Sequence, residues 1–118
     1  MNIKQFSELT QVSAHTLRYY EKIGLLKQVN RTANGHRSFT AKDIDWVGFI
    51  KRLKEMGMEL KKIQQYADLR EQGDSTSEQR KQLLEEHVVV VENRIEVEAR
   101  NLDKIKQKIQ YYNKIIKN

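Results

Sequence analysis

Residues 13–39 read SAHTLRYYEKIGLLKQVNRTANGHRSF, and this stretch carries most of the structural information in the chain. It opens with Ser13, whose hydroxyl can accept a free backbone N–H at the start of a helix. The helix expected from His15 to about Lys22 places Leu17 and Tyr20 on one face, because they are three residues apart. The stretch therefore begins with a short amphipathic helix.

Another helix signal precedes this stretch. Ile3, Phe6 and Leu9 are apolar at helical spacing, which predicts a helix over Ile3–Thr10. Two short helices joined by a tight turn make a helix-turn-helix, and the second of them is the recognition helix. The first third of the chain is thus predicted to present one exposed helix to a partner.

A hairpin signal follows the second helix. The pair Asn34-Gly35 tolerates the positive φ that a hairpin turn needs, and short segments flank it at Gln28–Arg31 and His36–Phe39. We expect a two-stranded wing, with Phe39 anchoring it in the core. Guanidinium groups and aromatic hydroxyls on a helix and a neighbouring hairpin suit contact with phosphates and base edges. This stretch therefore indicates a nucleic-acid surface.

Two further helices are predicted after the wing. Thr40–Asp43 has the residues of a capping box, and the helix that it starts carries a broad apolar face and ends at Gly57. A second amphipathic helix is expected over residues 60–69. Three aromatic residues on these helices are expected to pack in the core, although they could instead line a ligand pocket: Trp46, Phe49 and Tyr66.

The C-terminal part has the pattern of one long helix. Ser75 and Glu78 have the spacing of a capping box, and neither glycine nor proline occurs from there to the end. Apolar positions at alternating steps of four and three form a coiled-coil seam, interrupted at Glu98: Leu84, Val88, Val91, Ile95, Leu102, Ile105, Ile109, Tyr112 and Ile116. A helix of about 40 residues with such a seam is expected to pair with a copy of itself.

The long helix leaves two questions open. Glu98 either sets the register of the coiled coil or is simply tolerated at a wet position. Val89 and Val90 lie outside the seam, so they either pack on the N-terminal domain of the partner or line an effector site.

Charge is distributed unevenly along the 118 residues. Residues 1–70 hold 13 lysines and arginines against 7 acidic residues, whereas residues 71–118 hold 9 of each. The whole net charge of +6 therefore belongs to the N-terminal part. A basic part beside a charge-balanced part predicts a polyanion-binding domain over residues 1–70 and a dimerisation helix over residues 76–118.

Several functions are excluded by the residues that the chain lacks. It has no cysteine, so disulfides and thiolate metal sites are ruled out, and its histidines are too scattered for a metal site. His15, His36 and His87 are all expected on the surface. Neither a signal-peptide core nor a membrane-length apolar run is present, which favours a cytoplasmic protein with no membrane partner. Without a phosphate loop or a paired nucleophile, we expect neither an enzyme nor a cofactor.

Three runs in the chain, TLRYYE at residues 16–21, GLL at residues 24–26 and NGHR at residues 34–37, resemble the MerR family of bacterial transcription regulators. The resemblance covers residues 1–70 closely, and the long helix matches in kind. It implies a mainly α fold: a winged helix-turn-helix followed by a long C-terminal helix that forms a dimeric antiparallel coiled coil. It also implies a homodimer that bends and untwists promoter DNA for RNA polymerase, against a bending cost of about 1–6 kcal/mol.

The resemblance further implies which side chains contact double-stranded promoter DNA. Thr16 and Arg18 would face the major groove, where Arg18 is the best candidate for a bidentate bond to guanine. Tyr19 and Tyr20 would reach phosphates, although Tyr20 shares the core-facing side of its helix. His36 replaces the family's usual tyrosine, which leaves its contact open. The other expected DNA-contacting residues are Ser13, Asn34, Gly35, Arg37, Lys51 and Arg52.

Two other functions fit parts of the same pattern. One is a DNA-bending excision or architectural factor, and the other is a coiled-coil adaptor whose basic part binds a protein. Metal-sensing family members use cysteines near the end of the long helix, and drug-binding members carry a further C-terminal domain; neither feature is expected here. A small-molecule effector between the DNA-binding domain and the partner's long helix, a protein partner, or no effector at all are left as alternatives. The sequence does not choose between activator and repressor.

Overall fold

The computed structural model describes residues 1–27 and 29–117. In chain order the elements are α1 (Ile3–Thr10), α2 (Ala14–Lys22), β1 (Asn30–Arg31), β2 (Arg37–Ser38), α3 (Ala41–Glu55), α4 (Leu60–Glu71), a 3-10 turn (Asp74–Thr76) and α5 (Ser77–Lys117). The predicted order of elements is confirmed. The strand end predicted at Gln28 and the helix end predicted at Asn118 lie outside the described residues. No helix in the described ranges is long and apolar enough to span a bilayer.

The chain divides into an N-terminal unit, Met1–Leu83, and a C-terminal unit that starts at Leu84. Leu17 and Tyr20 both lie on the buried side of α2, as their spacing predicts. The broad apolar side of α3 is likewise buried in the N-terminal unit. The largest fully buried side chains are Phe6, Leu17, Leu25, Val47, Ile50, Leu53 and Ile63. One core thus holds α1, α2, α3 and α4 together and fixes the orientation of α2.

Local caps set the ends of the short helices. The Ser13 hydroxyl accepts the Thr16 N–H at 3.1 Å, so the predicted cap of α2 is confirmed. Thr40 and Asp43 form the predicted reciprocal capping box at the start of α3. Another capping box, which the pattern alone did not predict, joins Asn2 to the third residue of α1. These caps satisfy backbone N–H groups that lack a partner within the helix.

The far end of the wing is fixed to α1. The Phe39 ring stacks on the Phe6 ring with centroids 4.1 Å apart and planes 4° from parallel. The backbone N–H of Phe39 donates to the Met1 carbonyl at 2.8 Å, and the Met1 amino group donates to the Phe39 carbonyl at 2.9 Å. The predicted core role of Phe39 is confirmed, and the contacts show how the wing is attached.

The start of α5 differs from the prediction. Ser75 lies inside the 3-10 turn and α5 begins at Ser77, so the capping box predicted between Ser75 and Glu78 is wrong. The buried hydroxyl of Thr76 instead closes this turn, because it contacts the carbonyls of Leu69 at 2.5 Å and Gly73 at 2.8 Å. The chain therefore enters the long helix only after its turn is tied to the end of α4.

Most of the predicted seam on α5 is exposed in the single chain. Exposed fractions are 50–80 % for seven seam residues: Val88, Ile95, Leu102, Ile105, Ile109, Tyr112 and Ile116. The first seam residue, Leu84, is half-buried. Val89 and Val90 are also exposed, at 58 % and 47 %. An apolar stripe of this length on one helix is larger than the scattered apolar residues of an ordinary surface.

His87 contradicts the prediction of a surface histidine, because only 9 % of it is exposed. Leu83, four residues earlier on α5, is buried as well at 8 %. Residues four apart lie on the same side of a helix, so the two define a buried side at the start of α5. His15 and His36 are exposed as predicted.

Candidate nucleic-acid interface

The exposed side of α2 presents the polar residues of the recognition helix. Burial of Leu17 and Tyr20 turns Arg18 and Tyr19 outward, and 45 % of Tyr19 is exposed. The Ser13 hydroxyl also donates to the Thr16 hydroxyl at 2.9 Å, which fixes the first turn. The helix is thus held by its apolar side, while its polar side is free for a partner.

The wing is a short antiparallel ribbon in which Asn30 pairs with Ser38 and Arg31 pairs with Arg37. The Thr32 N–H donates to the His36 carbonyl at 2.8 Å, leaving a three-residue connection at its tip. Among the described residues, Gly35 takes a positive φ of 82° whereas Asn34 does not. The predicted hairpin is confirmed, but only its glycine uses the left-handed conformation.

Glu21 links the wing to the recognition helix. One carboxylate oxygen accepts an N–H of Arg31 at 2.7 Å, and the other accepts the Nε–H of Arg37 at 2.7 Å. A guanidinium has five N–H donors, so both arginines keep further donors for another anion. Glu21 therefore positions two cations side by side without removing their capacity to bind phosphate.

Arg18 faces the wing across an open groove of about 570 Å³. The wing contributes Arg31, Gly35, His36 and Arg37 to its lining, and the N-terminal residues of the chain close one end. Three arginines around one groove favour binding of a polyanion, because each guanidinium can pair with a phosphate or a base edge. The geometry is that of a surface for nucleic acid.

The other predicted contacts are not among the described residues that line this groove. Tyr19 is exposed on α2, and Asn34 is exposed at the tip of the wing. Tyr20 is 4 % exposed with the Lys54 ammonium 5.2 Å from its ring centre, which confirms the core position expected from its helix face. Lys51 and Arg52 lie on α3 and are not among the groove-lining residues that the structure describes. Their contact with DNA stays a prediction.

Two residues of the site were missed as functional residues by sequence reasoning. In the sequence, Arg31 has only the signal of a strand residue near the turn, yet it lines the groove. Glu21 is the last residue of the TLRYYE run, and the structure pairs it with both wing arginines. A carboxylate beside a predicted DNA surface was the available signal, because an acid there needs a basic partner to avoid repelling phosphate.

Replacing Glu21 with glutamine is expected to loosen the wing. The change removes two charge-assisted hydrogen bonds at a quarter-exposed carboxylate, so we expect a loss of about 1 kcal/mol in the free energy of unfolding after solvent screening. The Thr32 amide, which pairs across the wing, should exchange with solvent several-fold faster in hydrogen-exchange NMR. Glu8→Gln, a matched change at an exposed carboxylate of α1, should leave that rate unaltered. Equal exchange in the two variants would show that Glu21 does not hold the wing.

Comparisons with known protein families agree with this geometry. Residues 1–69 match the model described as MerR HTH family regulatory protein, and residues 44–110 match the model described as MerR, DNA binding. An HTH-type transcriptional regulator from Haemophilus influenzae, itself uncharacterized, is 40 % identical over 108 residues, which cover 92 % of this chain and 80 % of the relative. The HTH-type transcriptional regulator AdhR from Bacillus subtilis is 39 % identical over 84 residues, covering 71 % and 60 %.

Solved structures give the same result. A MerR family transcriptional regulator from Listeria monocytogenes superposes with a TM-score of 0.89 at 37 % identity, covering 96 % of this chain and 86 % of the other. HiNmlR, a MerR family regulator that lacks the sensor domain and was crystallised bound to promoter DNA, superposes with a TM-score of 0.83 at 38 % identity. That superposition covers 96 % of this chain and 90 % of HiNmlR.

Proposed function

We propose that this chain, which belongs to the MerR family of helix-turn-helix regulatory proteins, binds promoter DNA as a homodimer and distorts it to control transcription. Residues 1–70 act as the DNA-binding domain and α5 acts as the dimerisation helix. The observation that carries the proposal is the groove in which Arg18 faces the Glu21-paired arginines of the wing. Likeness to HiNmlR, which was crystallised on promoter DNA, supports the choice of ligand.

In this proposal α2 enters the major groove, which is wide enough to admit a helix. Arg18 reads a guanine, while Arg31 and Arg37 grip the sugar–phosphate backbone beside it. Ser13, Thr16, Tyr19, Asn34, Gly35 and His36 add contacts around these three arginines, and Lys51 and Arg52 add phosphate contacts from α3. Acting on DNA in a bacterial cell places the protein in the cytoplasm.

The proposed dimer uses the exposed stripe of α5. Ile95, Leu102 and Ile105 line a shallow open groove of about 440 Å³ on this helix, together with Glu98. The helix of a second copy would cover the stripe, since a coiled coil buries such seam residues in pairs. Two copies place two recognition helices on a pseudo-palindromic site, and the DNA between them can be bent and untwisted for RNA polymerase.

Footprinting of the purified protein on the DNA upstream of its own and neighbouring genes, at two salt concentrations, tests this function. Symmetric protection between −35 and −10 elements with hypersensitive central bases is expected. Affinity should fall with salt by about 0.9 log unit per log unit for each phosphate neutralised. Protection at recombination sites alone would favour an excision or architectural factor. Absence of salt-dependent DNA binding would favour the coiled-coil adaptor and overturn the proposal.

Arg18→Ala is expected to weaken binding to the protected site by about 1–3 kcal/mol while changing binding to unrelated DNA much less. Arg18→Lys keeps the charge but loses the bidentate fork, so it should recover the salt dependence without recovering the base preference. Fluorescence anisotropy measures the affinity of each variant for the protected site and for scrambled DNA. If both variants lose the same affinity on the two DNAs, Arg18 contacts a phosphate and does not read a base.

A further inference from the structure

A second groove in the N-terminal unit plays no part in the proposed DNA contacts. It is an open cavity of about 290 Å³ between α3, α4 and the first turn of α5. We call it the aromatic-basic groove and define it by three rings, Trp46, Phe49 and Tyr66, and three cations, Lys42, Arg70 and Arg80. Asp45 is the single carboxylate among the lining residues that the structure describes, so positive charge is in excess.

The three rings of this groove pack against one another, with Trp46 buried and the other two partly accessible. Trp46 is 6 % exposed and stacks on Tyr66 with centroids 5.8 Å apart and planes 15° from parallel. The ring centroid of Phe49 lies 6.3 Å from that of Trp46 and 5.6 Å from that of Tyr66. Phe49 and Tyr66 are only half-buried. The core role predicted for these rings holds for Trp46, whereas the other two offer surface to a ligand.

The cations of the groove are held in place by contacts that leave them able to bind an anion. The Arg70 guanidinium lies 4.4 Å above the centre of the Trp46 ring, and among the described residues it has no hydrogen-bond or ion-pair partner. Arg80 is fixed by hydrogen bonds to the Thr76 hydroxyl at 3.1 Å and the Gly73 carbonyl at 3.2 Å. A guanidinium that is stacked through its face keeps its N–H edge for a bidentate carboxylate.

We propose that the aromatic-basic groove binds a small planar aromatic carboxylate. The ring of such a ligand would rest against Phe49 and Tyr66, and its carboxylate would pair with the open edge of Arg70. Ligand pockets in proteins begin at about 300 Å³, so a cavity of this volume fits a molecule of one or two fused rings. The indole N–H of Trp46 takes no part, because it donates to the Leu25 carbonyl at 2.7 Å.

The position of Trp46 gives ligand binding a route to the DNA surface. Trp46 donates to Leu25, and the Leu25 N–H in turn donates to the Tyr20 carbonyl at 2.8 Å, within the last turn of α2. A ligand that shifts the indole would therefore act on the turn that follows the recognition helix. Binding itself does not depend on the proposed DNA function and can be measured without DNA.

NMR of the full-length protein tests the proposal, because Trp46 is the one tryptophan in the sequence and its indole N–H gives a single resonance. Titration with 2-naphthoate is expected to shift that resonance and saturate. Arg70→Gln should weaken binding at least about tenfold, as expected for loss of a charge-assisted hydrogen bond. Arg100→Gln is the matched control, because it removes another exposed arginine, which lies on α5 away from the groove. This variant should bind 2-naphthoate as tightly as the unchanged protein. Preserved amide dispersion in both variants establishes that they are folded.

Two control ligands test whether both the carboxylate and the rings are recognised. Naphthalene-2-methanol keeps the rings without the charge, and acetate keeps the carboxylate without the rings, so both should bind at least about tenfold more weakly than 2-naphthoate. A linear, unsaturated shift with 2-naphthoate would overturn the proposal. Equal affinity for the alcohol, or an Arg70→Gln variant that binds as well as the unchanged protein, would also overturn it, because the carboxylate would then not be recognised.

Discussion

Leu102→Asp is expected to convert the proposed dimer into monomers and to raise its dissociation constant at least about a hundredfold. Leu102 is half exposed in the single chain and lies at the centre of the seam. Full burial of an exposed leucine contributes about 1.5–3 kcal/mol, so burial of the exposed half contributes about 0.8–1.5 kcal/mol. A symmetric dimer loses this contribution twice, and a loss of about 1.5–3 kcal/mol corresponds to a factor of about 10 to 10². The two introduced carboxylates must also leave water, which costs several kcal/mol per ion and raises the factor above about a hundred.

Sedimentation analysis across a range of micromolar concentrations measures this change directly. Gln107→Asp is the matched control, because it adds the same charge to an exposed position of α5 that lies away from the seam. That variant should sediment like the unchanged protein. If Leu102→Asp stays dimeric at the lowest concentration, the seam is not the dimer interface.

Loss of the dimer should also abolish tight binding to the promoter. A monomer has one recognition helix and reaches one half-site. It therefore loses the gain in affinity that a dimer obtains when binding of one half-site holds the second recognition helix close to the other half-site. The same anisotropy assay should show half-site affinity only, with a shallower salt dependence because fewer phosphates are contacted. Dimerisation and DNA binding would thus fail together in Leu102→Asp, whereas Arg18→Ala affects DNA binding alone.

The parts of the fold that sequence predicted correctly depend on contacts between near neighbours. The cap of Ser13 on the Thr16 N–H spans three residues, as does the capping box of Thr40 and Asp43. The split of α2 into a buried and an exposed side follows from helical spacing alone. Such signals depend only on residues that are close in the sequence, so they can be recognised without a structure.

The parts that sequence missed depend on contacts between distant residues. Glu21 pairs with Arg31 and Arg37 across 10 and 16 positions, and no periodic pattern marks that pairing. Ser75 has the spacing of a helix cap, but the turn before α5 is closed by the Thr76 hydroxyl on the Leu69 carbonyl of α4, and the spacing does not reveal that contact. His87 is buried although it is polar, and its sequence neighbours alone did not predict this. Side-chain partners of this kind become visible only in three dimensions.

Phe6→Ala is expected to lower the free energy of unfolding of the N-terminal unit by about 3–5 kcal/mol, the range for removing a buried aromatic ring. Phe6 is fully buried, and its ring lies flat against Phe39 at 4.1 Å. Its removal leaves a cavity and also frees the end of the wing from α1. Since a small domain is stable by only about 5–15 kcal/mol, a large share of the stability would be lost.

Denaturant unfolding followed by the fluorescence of Trp46 measures this loss within the N-terminal unit itself. Leu9→Ala is the matched control on the same helix, because Leu9 is 60 % exposed and its truncation should change the free energy by no more than about 0.5 kcal/mol. A further comparison separates the two roles of Phe6. If Phe39→Ala is as destabilising as Phe6→Ala and the double variant is no worse than either, the stacked pair acts as one unit. Full additivity would instead mean that each ring is held by its own neighbours and that the stack does not attach the wing.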